Sequence, residues 1–106
     1  MTAIFARFTT ADASRYLQQL CKHFAHKVPA SWDETSAHVS FGPGTCTMTA
    51  TNEELGFACR ADNPDDLQRL IHVVEAHLIR FAWRDTVELL WFDESGAPVI
   101  KTPELA

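Results

Sequence analysis

The sequence predicts an α+β domain: two antiparallel helices packed on one face of an antiparallel sheet of five to six strands, in the order β-α-ββββ-α-β. Three observations predict it. Two long segments, one from Thr10 or Asp12 to about Lys27 and one opening at Asn63, place apolar residues at helical spacing. Four short segments between them alternate apolar with polar residues and are separated by turn signals. Four hairpin-linked strands joined by short connections return the chain so that the helices run in opposite directions. That inference needs Gly42-Pro43-Gly44 to be a true reversal, because three strands would leave the helices parallel.

Ala3 to Thr9 alternates, with Ile4, Ala6 and Phe8 on one side and Phe5 and Arg7 on the other, as a half-buried strand does. Thr10 or Asp12 caps the first helix, whose stripe is Ala13, Leu17, Leu20 and Phe24, and Pro29 stops it. Val28–Asp33, His38–Phe41, Thr45–Thr51 and Glu54–Ala61 read as strands. Their turns are Glu34-Thr35-Ser36, Gly42-Pro43-Gly44 and Asn52-Glu53. The second helix has the clearest start in the chain: Asn63 caps, Pro64 suits the first helical position, and Asp65 and Asp66 sit at the positive end of the dipole. Leu67, Leu70, Ile71, Val74, Leu78 and Phe81 form its buried stripe. Val87–Phe92 reads as the last strand. Ser95-Gly96 turns the chain, so 1–94 make the domain and 95–106 a C-terminal tail, with one further short strand at Val99-Ile100.

The size of 106 residues suits one core, and 46% apolar with 22% charged residues is ordinary globular usage. A net charge of -5 argues against nucleic acid and against anionic membranes as partners, since both are bound chiefly through excess positive charge. The start lacks a basic segment followed by an apolar run, and no apolar stretch approaches a membrane span. An odd cysteine count of three fits reduced thiols, so the expected location is cytoplasmic.

A symmetric hairpin about Asn52-Glu53 pairs Cys46 with Cys59, Met48 with Phe57 and Ala50 with Leu55, all on one face. A one-residue slip would bury Thr45, Thr47 and Thr49 instead, so the register is well specified. The two cysteines therefore read as small apolar core side chains rather than a redox pair. Cys21 and His23 point about 160° apart on a helix and cannot share a metal there. Cys21 lies on a packing flank, with Lys22 the one neighbour able to lower its pKa.

The chemistry-bearing residues cluster elsewhere. His23 and His26 share a helix face with Tyr16, and His77, Arg80 and Arg84 make the matching row on the second helix. These two flanks either face each other or both face outward; facing each other, they make a seam of Tyr16, His23, His26, His77, Arg80 and Arg84, the candidate ligand site. It suits a divalent metal through His23, His26 and His77, or a small anion through Arg80 and protonated imidazole. The same cations also stabilise helix C-termini without any ligand. His72 is expected in solvent and His38 on the outer sheet face. Phe5, Leu90 and Phe92 share that outer face, which predicts either a homodimer interface or cover by Val99-Ile100.

Three stretches carry a resemblance: Tyr16-Leu-Gln-Gln-Leu-Cys-Lys-His-Phe-Ala-His-Lys27, Phe41-Gly-Pro-Gly-Thr-Cys46 and His77-Leu-Ile-Arg-Phe-Ala-Trp-Arg84. Together they resemble a small bacterial family catalogued as domain of unknown function 2218, over about residues 3 to 92. Phe24-Ala25 stands where Trp-Ser is common in that family, and Trp83 where Phe is common, which removes a hydroxyl from the region. The resemblance implies no activity. It implies a loose link to iron and siderophore use, and a siderophore-interacting flavoprotein as partner.

Three readings follow. One is a cytosolic binding module that takes a metal or small ligand at the seam. The second is a structural or partner-binding protein that uses the outer sheet face. The third, an enzyme using Cys21 or a histidine base, has least support, because no residue set supplies nucleophile, base and oxyanion donor together.

Overall fold

The computed structural model describes residues 2–42, 44–82 and 89–99. Strand β1 (Thr2–Thr9) leads into helix α1 (Ala13–Phe24). Four strands follow, β2 (Ala30–Trp32), β3 (Ser36–Phe41), β4 (Gly44–Ala50) and β5 (Glu54–Ala61), then helix α2 (Pro64–Phe81) and strand β6 (Trp91–Asp93). The fold is α+β, in the element order the sequence predicts.

All strand pairs are antiparallel, in the order β2-β3-β4-β5-β1-β6. Phe41 pairs with Gly44, so the Gly-Pro-Gly segment is a reversal, although Pro43 itself lies outside the described residues. Thr9 pairs with Glu54 and Thr2 with Ala61, so the two helices leave the sheet from opposite ends. Gly44 is required by a close approach: a Cβ there would run into the Arg60 carbonyl oxygen and crowd Leu70 of α2.

Alternation sends Ile4, Ala6, Phe8, Val39, Met48 and Phe57 to one face, where α1 and α2 cover them. The β4–β5 register pairs Cys46 with Cys59, Met48 with Phe57 and Ala50 with Leu55, as the hairpin argument requires. Asn63 accepts the Asp66 N–H at 2.9 Å and starts α2 as a side-chain cap. Among the described residues, no helix is long and apolar enough to cross a membrane.

Two boundaries differ from expectation by more than two residues. Helix α1 stops at Phe24 rather than Lys27, because Lys27 and Val28 both turn their N–H groups onto the Phe24 carbonyl at 2.9 Å. Pro29 explains the stop: it disfavours helical backbone at the preceding residue. The last strand is Trp91–Asp93, with Leu89 buried and Leu90 exposed ahead of it, while Val87 lies outside the described residues.

After the turn at Gly96 (φ 87°), the chain folds back onto β6. Pro98 bridges Phe92, and Val99 donates to the Trp91 carbonyl at 2.8 Å; Ile100 is outside the described residues. Both sheet edges are thereby blunted. On one side β2 is three residues long; on the other, β6 is capped by a proline without an N–H.

Candidate functional site

The helices meet through their C-terminal halves, and the two histidines meet there. His23 near the end of α1 and His77 in the last third of α2 have ring centroids 4.7 Å apart at 43°. Three phenylalanines frame them. Phe24 lies edge-on to His77 at 5.0 Å and to Phe41 at 5.1 Å, and Phe81 lies edge-on to His23 at 5.7 Å. Sequence reasoning placed Phe24 and Phe81 only in the buried stripes. Their closeness to the histidines was nonetheless signalled, since Phe24 follows His23 and Phe81 lies one helical turn beyond His77.

His77 is held by its own helix. Its Nδ1 lies 2.7 Å from the Val73 carbonyl oxygen, which can only accept, so Nδ1 donates and Nε2 is the ring nitrogen left for another partner. His23 is half-buried and its pKa is lowered from 6.5, first by burial and then by His77, Arg80, Lys27 and His26. The sign for stability follows. The unfolded chain takes up this proton near 6.5 while the folded chain resists it. The contribution of neutral His23 is therefore present above that pH and is lost as pH falls below it.

The other predicted residues divide. Arg80 is exposed and close enough to act electrostatically on His23. His26 lies beyond the end of α1, exposed in the turn, and acts on His23 in the same way. Tyr16 is in the core, 2% exposed, with its ring 6.2 Å from Phe8 and the Arg15 guanidinium over it at 5.3 Å. The helix face it shares with His23 suggested the seam; its position three after Ala13 and four before Leu20, within the buried stripe, was the signal that mattered. Arg84 lies outside the described residues, as does Trp83. Lys27 belongs to the cluster and was missed.

Among the described residues, no three of His, Cys, Asp and Glu are placed to hold a metal ion. The seam thus offers two imidazoles in cationic surroundings, and that favours negative charge over a bare cation. His72, expected in solvent, is half-buried, with Nε2 sealed and without a partner among the described residues.

All three cysteines are buried free thiols. Burial pushes Cys21 up to about 11. Cys46 is raised by its hydrogen bond with Cys59 and by burial. Neither Cys21 nor Cys46 has the thiolate character a nucleophile needs. Iodoacetamide at neutral pH is expected to leave the native protein unlabelled and to modify all three in denaturant. Rapid native alkylation of Cys21, read by mass spectrometry, would restore the enzyme reading.

The outer sheet face keeps its apolar patch, with Phe5, Leu90 and Phe92 exposed at 38%, 71% and 37%. His38 stands on the same face.

A family model described as "Uncharacterized protein conserved in bacteria (DUF2218)" matches residues 5–92. Among solved structures, the chain is similar to the NMR structure of PA4090 from Pseudomonas aeruginosa. The two share 26% identity and a TM-score of 0.75 over 92% of this chain and 99% of that one. No curated protein matches the chain.

Proposed function

We propose, since the chain belongs to the DUF2218 family of uncharacterised proteins conserved in bacteria, that its function lies in its own seam: the domain is a binding module for a small anionic ligand. The observation that supports this reading is the His23–His77 pair at 4.7 Å, with Arg80, Lys27 and His26 acting on it. Burial first, and then these positive surroundings, hold the His23 pKa below its ordinary value. An anion seated between the rings and Arg80 relieves that repulsion and accepts charge-assisted hydrogen bonds. Anionic iron chelates belong to this ligand class. That is where the link to siderophore use, implied by the family resemblance, meets the geometry.

The sign of the pH dependence separates this reading from metal binding. Anion binding takes up a proton at His23, so affinity rises as pH falls toward the lowered His23 midpoint. A metal competes with protons for the same nitrogens, so its affinity falls. Citrate and zinc chloride are titrated separately while the His23 and His77 imidazole signals are followed by NMR between pH 5.5 and 8. Citrate is expected to raise the His23 midpoint and to bind more tightly at the acid end, with Arg80→Gln weakening it. Tighter zinc binding at the alkaline end without a citrate response would replace the anion by a metal. No response to either at about 10 mM, where even a weak millimolar site worth roughly −4 kcal/mol would fill, would leave the seam as packing alone. A partner-binding role rests on a different observation, the apolar outer face.

A further inference from the structure

The three buried thiols lie together where helix α1 packs on the sheet. Cys46 and Cys59 are direct partners on β4 and β5, both fully buried, and the Cys46 thiol is hydrogen-bonded with Cys59. Cys21 of α1 is near enough to act electrostatically on Cys46. The hairpin's hydrogen bonds settle which kind of pair the two strand cysteines make. At the turn the Thr51 N–H donates to the Glu54 carbonyl at 2.9 Å, so that pair is hydrogen-bonded, and so is every second pair beyond it. Thr49–Gly56 and Thr47–Ala58 follow in that series, which leaves Cys46–Cys59 as a non-hydrogen-bonded pair. The other side of β4 agrees: the Ala50 N–H goes to the Thr35 carbonyl at 2.8 Å, and Cys46 has the same parity as Ala50. Facing residues at such positions have Cα atoms about 4.5 Å apart, the closer of the two spacings and within the roughly 4.4–6.8 Å that a disulfide spans.

We propose that Cys46 and Cys59 form a redox latch on the β4–β5 hairpin: a dithiol in the reduced fold, closed to a cross-strand disulfide by a small-molecule disulfide when α1 lifts from the sheet. While α1 is seated, both are packing side chains, as their burial requires. Once uncovered, one of the two thiolates attacks a sulfur of the oxidant, forming a mixed disulfide and releasing one oxidant thiol. The second protein thiolate attacks the protein sulfur of that mixed disulfide and releases the other. Two protein thiols are oxidised, the oxidant is reduced to two thiols, and the two protein protons pass to the departing thiolates.

Helix α1 is the cover that must move. It lies against β4 and β5 and carries Cys21, and its start has no side-chain cap, whereas Asn63 caps α2. Its local opening leaves the β4–β5 ladder standing. Cys46 and Cys59 then stay opposed on neighbouring strands while Cys21 departs with the helix, so closure between the strand pair outruns any bond to Cys21. The new bond closes the loop through residues 47–58 and adds a covalent tie to a hairpin that hydrogen bonds already define.

The test incubates the whole reduced chain with oxidised glutathione, counts thiols with iodoacetamide in denaturant and maps the disulfide by mass spectrometry. The count is expected to fall from three to one, with Cys46 joined to Cys59 and Cys21 alkylated. Cys21→Ala is expected to form the same bond. Oxidation is expected to be at least about tenfold faster in Leu17→Ala, which loosens α1, than in Leu78→Ala, the same truncation of a fully buried leucine on α2. The oxidised protein is expected to unfold at least about 5 °C above the reduced one, a difference that dithiothreitol removes. The proposal is overturned if all three thiols survive, if Cys21 or glutathione ends in the product's disulfide, if the two leucine variants oxidise at equal rates, or if oxidation fails to raise the unfolding temperature.

Discussion

Replacing Trp91 by alanine is expected to remove about 3–5 kcal/mol of stability, the range for truncating a large aromatic in a closed core. Trp91 is 2% exposed and lies on β6, a strand of only three residues paired to β1. Its ring lies 6.1 Å from Phe57, and its Nε1–H donates to the Glu75 carboxylate of α2 at 2.8 Å. One side chain thus ties the last strand to both the sheet and the second helix. Chemical denaturation followed by far-UV circular dichroism measures the loss, because that signal does not depend on the indole being removed. Trp91→Phe separates the two contributions: it keeps most of the volume and deletes the donor, so it is expected to cost about 1–3 kcal/mol. A Trp91→Ala protein within about 1 kcal/mol of the parent would mean that β6 adds little to the fold, well below the cost of an ordinary core truncation.

Phe24→Ala is expected to cost a similar ~3–5 kcal/mol and, in addition, to change the seam. Phe24 is 5% exposed, touches Phe41 and His77 edge-on, and lies 5.9 Å from the His23 ring. It is therefore part of the surface that keeps water from the paired imidazoles. Burial is the first cause of the low His23 pKa, so losing the ring is expected to move the His23 midpoint upward toward 6.5. With the midpoint nearer the unfolded value, the loss of stability on acidification below 6.5 becomes shallower. Phe24→Leu, which keeps most of the apolar volume, is expected to retain most of the stability and most of the shift. Denaturation at two pH values and an imidazole titration by NMR together read both effects. A His23 midpoint that stays put in the alanine variant would mean that Phe24 supports the helix pair without shielding the histidines.

Particular residues show how far sequence reasoning reaches. The pairing of Cys46 with Cys59 was legible because strand alternation and a two-residue turn leave one register that buries the apolar set. Asn63-Pro64-Asp65-Asp66 marked the start of α2 because capping is satisfied within four residues of chain. Leu90 and Phe92 on the outer face followed from the same alternation. The end of α1 was misjudged by one turn, because carbonyls near Phe24 found partners in a turn that helical periodicity does not describe. That shift took His26 off the helix face shared with His23. Tyr16 was assigned to a flank, yet the sheet reaches far enough around α1 to bury it against Phe8.

Periodicity, capping and pairing rules act over a few residues, and so the chain alone determined the element order, the β4–β5 register, the inward and outward faces and the start of α2. How far each helix is rolled about its axis, and where along their lengths the two cross, depends on the summed packing of side chains brought together from separate elements. Those two quantities decided that His23 meets His77 and Phe81 and that Trp91 reaches Glu75. Local sequence carries no record of them, because a small rotation of either helix changes every such contact while leaving its apolar stripe intact.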